Sequence, residues 1–177
     1  MDWDSEVWDI RAHTLYRCRL SRIYHQKRER FYDICDNATK AVALICGAAS
    51  IAKIAQPDQL VWIGAAITVT STLSLVVGYS KKSRSHADLA KAFIDLECKI
   101  EAKGVFDMEQ ACDFKAEAIR LEMNEPRTLG ALVRICHNEI LVAEGKERDV
   151  QPVSLWQRVW AHFYDFDMSG AGPKPAK

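Results

Sequence analysis

The longest apolar segment of this chain runs from residue 60 to residue 79 and contains no charged side chain. A helix needs about 20 apolar residues to cross the hydrocarbon core of a bilayer, and this segment has that length. Trp62 and Tyr79 lie near its two ends, about 25 Å apart at the helical rise per residue, as expected of aromatic side chains at the two membrane interfaces. The pattern therefore predicts a membrane-spanning helix.

A second and weaker apolar run precedes it at residues 41–55. Lys40 and Lys53 bracket its charge-free part, which covers only about 18 Å, so both lysine side chains would have to extend toward the headgroups. The four residues between the runs, 56–59, include Pro57 and are long enough only for a tight turn. Together the two runs predict a transmembrane hairpin of antiparallel helices.

Basic residues lie on both sides of the predicted hairpin, whereas the turn contains none. They are Lys27, Arg28, Arg30 and Lys40 before it and Lys81, Lys82 and Arg84 after it. Lys and Arg concentrate in the cytoplasmic loops of membrane proteins, so this distribution predicts both termini in the cytoplasm, and the later group could also hold anionic headgroups. The alternative, an apolar hairpin buried inside a soluble helical bundle, offers no reason for this segregation of charge.

Small and polar residues form two neighbouring rows on the longer apolar run. One row is Ala66, Thr70, Ser74 and Gly78, and the other is Gly64, Thr68 and Thr72. Small side chains let membrane helices approach closely, and hydroxyl groups can hydrogen-bond between helices. Two interpretations follow: the rows pack helices together in a homo-oligomer, or they line a water path when several hairpins assemble.

The flanks of the hairpin are predicted to be helical as well. No Gly or Pro occurs between residues 1 and 46. After the hairpin, apolar residues recur at helical spacing at Leu89, Phe93, Leu96 and Ile100. Capping and breaking residues predict further helices over 107–123 and 127–144. Since no stretch alternates as a strand does, the predicted fold class is all-α, a two-helix transmembrane hairpin whose long flanking helices form a cytoplasmic helical bundle.

The predicted organisation has five parts along the chain. They are an N-terminal amphipathic cytoplasmic helix (1–36), the transmembrane hairpin (37–80), the cytoplasmic bundle (81–145), a linker with an amphipathic Trp-rich helix (146–166) and a disordered tail (167–177). The Trp-rich helix carries Trp156, Trp160 and Phe163. These side chains would either lie on the membrane surface or cap the cytoplasmic bundle.

Composition and the lack of known motifs argue against several classes of function. The 24 Lys and Arg residues balance the 24 Asp and Glu residues, which gives no electrostatic basis for binding nucleic acid. Six single cysteines without a CxxC pair indicate a reducing compartment. Because no phosphate-binding, metal-ligand or nucleophile motif occurs, we predict no enzymatic activity, catalytic residue, metal site or cofactor. His137 and Glu139 point to different helix faces, which favours a structural hydrogen bond for His137 over an acid–base pair.

Three segments carry a resemblance to a known family: "RERFYDICDNATKAVALICGAASIAKI" (28–54), "IGAAITVTSTLSLVVGYSKKSRSHADLAKAFIDLECKIEAKG" (63–104) and "LVRICHNEI" (132–140). Over residues 10–145 the chain resembles SLATT domains, bacterial membrane-hairpin proteins with a cytoplasmic helical bundle. The resemblance implies a pore-forming or membrane-perturbing effector of an antiphage conflict system in the bacterial inner membrane, paired with a nucleotide-signal synthase or sensor protein. No synthase or sensor pattern occurs within the chain, so a membrane-anchored scaffold and a prophage accessory protein are the alternatives.

Overall fold

The structure, a computed structural model, describes residues 3–51, 57–105 and 107–168. These residues form helices and connecting segments and contain no strand, which confirms the all-α prediction. The helices are α1 (Trp3–Ile51), α2 (Pro57–Val77), α3 (Tyr79–Lys103), α4 (Met108–Glu122), α5 (Gly130–Ala143) and α6 (Leu155–Trp160), with a short 3-10 helix at Glu147–Asp149. The predicted turn at 56–59 falls partly outside the described residues. Lys53 and the tail from residue 169 lie wholly outside them.

The chain divides into two compact units. Met1–Gln26 and Asp88–Lys177 form one, here called the terminal unit, and Lys27–Ala87 form the other, here called the central unit. The central unit contains the two apolar runs together with their basic flanks. Helix α1 continues without a break through the predicted domain boundary at residue 36.

The terminal unit has a core built from α1, α3 and α4. Its buried members are Leu15, Cys18, Phe93, Leu96, Ile100, Ala111 and Ala118. Phe93, Leu96 and Ile100 are fully buried, as their helical spacing predicted, while Leu89 is half-buried. Each large apolar side chain withdrawn from water stabilises the fold by about 1.5–3 kcal/mol.

A second core of the terminal unit joins α1, α5 and Ala161, the residue that follows α6. Its buried members are Tyr24, Ala131, Leu132, Cys136 and Ala161. The Tyr24 hydroxyl accepts a hydrogen bond from the backbone N–H of Leu129 at 3.2 Å, just before α5 begins. Helix α5 therefore starts at Gly130, later than the predicted residue 127. Met168, which the prediction assigned to a disordered tail, packs against this core.

Arginines of α1 pair with glutamates of α3 along the same unit. Arg11 contacts Glu101 at 2.8 Å, Arg19 contacts Glu97 at 3.0 Å and Glu101 at 3.1 Å, and Arg22 contacts Glu97 at 3.1 Å. These pairs are partly exposed, so each contributes at most about 1 kcal/mol. Their combined effect is to favour one register between α1 and α3.

The ends of α3 and α4 follow local sequence signals. Gly104 has a φ of 70°, the left-handed conformation that ends a helix and that glycine adopts without steric cost. The Asp107 side chain accepts a hydrogen bond from the backbone N–H of Gln110 at 2.9 Å and so caps α4. Both ends are therefore set by residues close to them in the sequence.

Candidate membrane segment

Helix α2 is apolar and lies exposed on the protein surface. An 18-residue segment within the helical stretch Gln59–Lys103 has a mean hydropathy of 2.0, and none of it is buried. Leu75 is 83% exposed and Trp62 is 78% exposed. By length and composition this helix could cross a membrane. It is the one helix in the described part of the chain that meets these conditions, and α1 up to Ile51 does not.

This exposure distinguishes α2 from the core helix of a soluble protein. A helix that is apolar on all sides is found either in a protein core or in a membrane, and α2 is apolar all round. Burial of a Leu or Val side chain stabilises a protein by about 1.5–3 kcal/mol, and a side chain left in water does not contribute this free energy. An exposed apolar surface of this size therefore marks an interaction surface. The chain itself does not cover that surface within the described residues.

The structure separates the two rows of small residues on α2. The half-buried row is Ala66, Thr70, Ser74 and Gly78. The exposed row is Gly64, Thr68 and Thr72. A Cβ atom added at Gly64 would meet no other atom within 4 Å. The half-buried row is therefore partly covered by this chain at Ala66, Thr70 and Ser74, whereas the exposed row is open surface; Gly78 also has open space where a Cβ atom would lie.

Two threonine hydroxyls on α2 are satisfied within their own helix. Thr68 Oγ1 donates to the carbonyl oxygen of Gly64 at 2.8 Å, and Thr70 Oγ1 donates to that of Ala66 at 2.7 Å. In hydrocarbon a hydroxyl without a partner is costly, and this back-bonding removes the cost. These two hydroxyls therefore need no hydrogen-bond partner from a second helix or from water. The threonine side chains are nevertheless small enough to permit close packing of helices.

The C-terminal part of α1 distributes its side chains as α2 does. Its half-buried positions are small or polar and recur every three or four residues: Thr39, Ala43, Cys46, Gly47 and Ser50. Its large side chains are exposed, with Leu44 76% exposed and Ile45 also exposed. Ser50 Oγ donates to the carbonyl oxygen of Cys46 at 3.0 Å, another hydroxyl bonded within its helix.

Gly78 separates α2 from α3 at the point where the apolar segment ends. Its φ is 63°, in the left-handed region that favours glycine. Its N–H still bonds the carbonyl oxygen of Ser74 at 3.0 Å, and its own carbonyl oxygen accepts from the N–H of Lys82 at 3.0 Å. A single residue thus interrupts the helical conformation between the apolar helix and the basic segment that follows.

A group of aromatic and basic side chains surrounds Tyr32 in the central unit. Arg28 donates to the Tyr32 hydroxyl, and its guanidinium lies 4.6 Å from the centre of the Tyr32 ring. The Lys82 ammonium lies 5.7 Å from the same ring centre, and the His86 ring stacks on it at 5.6 Å. Tyr79 lies 6.4 Å from it. We call these five residues the Tyr32 cluster, and its cation–π contacts connect α1 with α3.

Two acidic residues near the Tyr32 cluster also have polar partners. The Ser83 hydroxyl donates to Asp33 Oδ1 at 2.6 Å. Lys40 Nζ lies 2.5 Å from Asp36 Oδ2, and Asp36 is buried. Sequence analysis missed the Tyr32 cluster and these carboxylates, although Arg28 with Tyr32 and Lys82 with His86 each show the i,i+4 spacing that places two side chains on one helix face.

The residues predicted to lie at the membrane interface take several positions in the structure. Trp62, Lys81, Lys82 and Arg84 are exposed, and so is the Lys40 side chain despite its contact with Asp36. Tyr79 is half-buried against Tyr32. Lys53 lies outside the described residues. No bilayer is needed to explain any single one of these positions, so their assignment to an interface remains a prediction.

Polar residues of the terminal unit form structural contacts. The Tyr16 hydroxyl and His137 Nδ1 are 2.5 Å apart, the type of contact predicted for His137, while Glu139 is exposed. Burial raises the pKa of Tyr16, with a smaller contribution from Glu144. In the described part of the chain no group of three His, Cys, Asp or Glu residues could hold a metal ion.

All six cysteines are free thiols in the structure. Burial, with smaller contributions from the nearby carboxylates of Glu97 and Glu122, raises the pKa of Cys18 to about 12. A thiol with so high a pKa is a poor nucleophile at neutral pH. Cys18 is therefore a core residue of the terminal unit.

Two aromatic side chains of the Trp-rich segment do not pack into the terminal unit. Trp156 is 66% exposed and Phe163 is 65% exposed, so the capping alternative is wrong for both side chains. Ala161, directly after α6, is the residue of this segment that is buried in the terminal unit.

Comparison with known proteins finds no relative. No family model, no curated protein and no solved structure matches this chain significantly.

Proposed function

We propose that the chain is an oligomeric inner-membrane protein of bacteria whose α2 spans the bilayer and whose assembled spans make the membrane permeable. The observation that carries this proposal is that α2 is long and apolar enough to cross a membrane and yet has no buried residue in its apolar segment. A bilayer is the environment that removes such a surface from water.

A hairpin in which the C-terminal part of α1 accompanies α2 is the second element of the proposal. In both helices small residues such as Ala43 and Ala66 are half-buried and most large apolar side chains are exposed, although Ile63, Ile67 and Val77 of α2 are half-buried. Membrane helices pack in this way, because lipid already solvates large apolar side chains and close approach needs small ones. The basic flanks of the hairpin favour an orientation with both termini in the cytoplasm.

The exposed row of α2 supports self-association. Gly64, Thr68 and Thr72 leave an open strip on the surface of the apolar helix. A second copy of the chain could approach closely along this strip, and the proposed partners are therefore the lipid bilayer and further copies of the chain. As the resemblance to SLATT domains implies, we place the protein in an antiphage conflict system with a nucleotide-signal synthase or sensor as partner and without catalytic activity of its own.

Induced expression with a membrane-potential dye tests permeabilisation. We expect the wild-type chain to depolarise cells, and an unchanged potential at confirmed membrane levels would refute permeabilisation. The decisive variant is Gly64→Leu with Thr68→Leu, which blocks the exposed row and makes the helix more apolar, so insertion is retained. It should reach the membrane, crosslink as smaller oligomers and lose the depolarisation.

Two matched variants show which row matters. Thr70→Leu with Ser74→Leu adds the same bulk to the half-buried row and should disturb packing within the chain, which lowers its thermal stability. Val76→Leu changes an exposed side chain outside both rows and should change neither oligomer size nor membrane potential. If the variants of the exposed row keep full oligomers and full activity, that row is lipid-facing and the proposed pore loses its residue-level support.

Reporter fusions test the hairpin and its orientation. A reporter after residue 168 should give a cytoplasmic signal, and one inserted at Asp58 should give a periplasmic signal. A cytoplasmic signal from both sites would mean that the hairpin does not cross the membrane.

A membrane-anchored scaffold, including a prophage accessory protein, is the alternative function. It is favoured by the hydroxyls of Thr68 and Thr70, which bond within their own helix and so need no water path. A scaffold would give the same topology and oligomers without depolarisation. The third alternative, a soluble bundle with a buried hairpin, is disfavoured because no part of the apolar segment of α2 is buried.

A further inference from the structure

A second apolar surface lies on the terminal unit, far along the chain from α2. Its exposed members are Leu155, Trp156, Val159, Trp160, Phe163 and Tyr164, which we call the aromatic patch. The rings support one another, since the ring centres of Trp156 and Trp160 are 5.3 Å apart and those of Trp160 and Phe163 are 5.7 Å apart. Six large apolar side chains exposed together form a surface of the kind that binds a partner.

The segment that carries the aromatic patch is held firmly before α6. The Asn138 side chain donates to the carbonyl oxygen of Gln151 at 2.7 Å and accepts from its N–H at 3.0 Å. A capping box at the start of α6 adds reciprocal bonds between Ser154 and Gln157 at 3.1 and 3.0 Å. These bonds fix the direction in which α6 leaves the preceding loop.

The same segment is also fixed after α6. Ala161 is buried in the second core. Asp165 Oδ1 accepts from the N–H of Gly130 at 3.0 Å, and a Cβ atom added at Gly130 would lie only 2.7 Å from the carbonyl oxygen of Phe166. The chain is therefore packed tightly on both sides of the aromatic patch, and the patch cannot be covered by a simple collapse of α6. Its exposure is a property of the fold.

The aromatic patch is apolar with a polar rim of both signs. Residues 150–164 contain Arg158, whose side chain is exposed, and His162, while the exposed side chains of Asp149, Asp165 and Asp167 flank them. A surface of Trp, Tyr, Phe and aliphatic side chains with such a rim is complementary to the boundary between headgroups and acyl chains, where Trp and Tyr place an apolar ring beside a polar atom.

We propose that the aromatic patch is a second membrane contact, in which Trp156, Val159 and Phe163 enter the headgroup region of the bilayer that α2 spans. This inference rests on the proposed function, because a chain whose α2 spans the bilayer is tethered to it. Tethering raises the effective concentration of lipid at the patch, so that a weak interfacial affinity is sufficient for stable contact. The expected ligand is lipid.

Fluorescence quenching of the full chain tests this contact. We would reconstitute it in nanodiscs of phosphatidylcholine and phosphatidylglycerol at three to one. Three single-tryptophan variants would be compared, in which all tryptophans except Trp156, Trp62 or Trp8 are replaced by Phe. Quenchers would be lipids with a nitroxide at a shallow or a deep acyl position, and iodide in the water.

Trp156 should be quenched at least twofold more strongly by the shallow nitroxide than by the deep one and should be shielded from iodide. Trp62 reports whether the span is inserted and should respond to lipid nitroxides. Trp8 is the matched control, an exposed tryptophan of the terminal unit outside the patch, and it should respond to iodide alone. Each replacement of a tryptophan by Phe keeps an aromatic ring, so all three variants should retain the fold.

The outcomes separate the two proposals. Lipid quenching of Trp62 with iodide quenching of Trp156 would overturn the membrane contact and leave the span intact. Lipid quenching of Trp156 without that of Trp62 would support the contact and refute the span, and iodide quenching of both would overturn both. Shielding of Trp156 from every quencher would mean that protein, either a second copy or a partner, covers the patch, and the lipid assignment would be wrong.

Discussion

The terminal unit and the central unit place large and small side chains in opposite positions. In the terminal unit Phe93 and Ile100 are fully buried, although the aromatic patch remains outside. In the central unit Leu44 and Leu75 are exposed, while the smaller Ala43 of α1 and Thr70 of α2 are half-buried. The first arrangement is stable in water because burial of large apolar groups drives folding. The second would be stable where the solvent itself is apolar, and the comparison therefore indicates two different environments for one chain.

The largest expected difference is between truncating a large side chain of the terminal unit and truncating one of the central unit. Phe93→Ala should destabilise the terminal unit by about 3–5 kcal/mol, because the lost ring leaves a cavity in a packed core. Leu75→Ala should change stability in detergent by less than about 0.5 kcal/mol, because the side chain contacts solvent and not protein. Thermal unfolding of the purified full chain, followed by circular dichroism, measures both. Equal losses would contradict the contrast between the units.

A smaller effect is expected at the junction of α2 and α3. Gly78→Ala should destabilise the central unit by about 1–2 kcal/mol, because a side chain in the left-handed conformation meets the backbone. Gly64→Ala is the matched control, a glycine inside α2 with open space around it, and it should cause no loss. Protease resistance of the reconstituted chain near residues 78–84 would report the difference. Equal behaviour of the two variants would show that Gly78 is not held in this conformation.

The buried thiol of Cys18 predicts a pH dependence that belongs to the terminal unit. Its pKa is raised to about 12 in the folded chain, against an ordinary value of 9.0. Above pH 9 the unfolded chain loses this proton and the folded chain keeps it, so the stabilisation is complete below pH 9 and is lost as the pH rises toward 12. Cys18→Ala should lose less stability than the wild type between pH 8 and pH 10.

Denaturant unfolding at those two pH values measures the free energy of unfolding of each variant. Cys98→Ala is the control, since Cys98 is exposed, and it should follow the wild type. Identical pH slopes for wild type and Cys18→Ala would refute burial of this thiol. The same comparison locates the effect in the terminal unit, where Cys18 lies in the core.

The smallest expected effect concerns the ion pairs between α1 and α3. Glu97→Gln removes the charge that faces Arg19 and Arg22, and it should cost about 0.5–1 kcal/mol at low salt. The difference from the wild type should shrink as salt is added, because partly exposed charges are screened. Unfolding at low and high ionic strength tests this. A loss as large as that of Phe93→Ala would mean that charge, not apolar burial, holds the terminal unit together.

Local patterns along the chain were sufficient for the helices and for their ends. The stripe that includes Phe93 and Ile100 repeats at helical spacing, Gly104 needs no partner to end α3, and Asp107 caps α4 through a neighbour three residues away. The length of the apolar segment was likewise sufficient to predict a helix that could cross a membrane. In each case the signal lies within about one or two turns of one helix.

Contacts between distant residues were not predictable from the same patterns. Tyr32 and His86, or Tyr16 and His137, lie far apart in the sequence, and their pairing depends on the register and rotation of one helix against another. The exposure of Trp156 has a similar origin. An amphipathic pattern says that one face of α6 is apolar, but the buried Ala161 and the packing around it decide that the aromatic face remains outside.

For α2 the sequence by itself determined the length, the apolar character and the two rows of small residues. Because α2 is apolar all round, its periodicity could not tell which row turns toward the protein. Only the tertiary structure decided that Thr70 is half-buried while Gly64 and Thr68 are open. The physical reason is that burial depends on the atoms a neighbouring helix brings, and those positions follow from packing across the central unit and not from the order of residues along one helix.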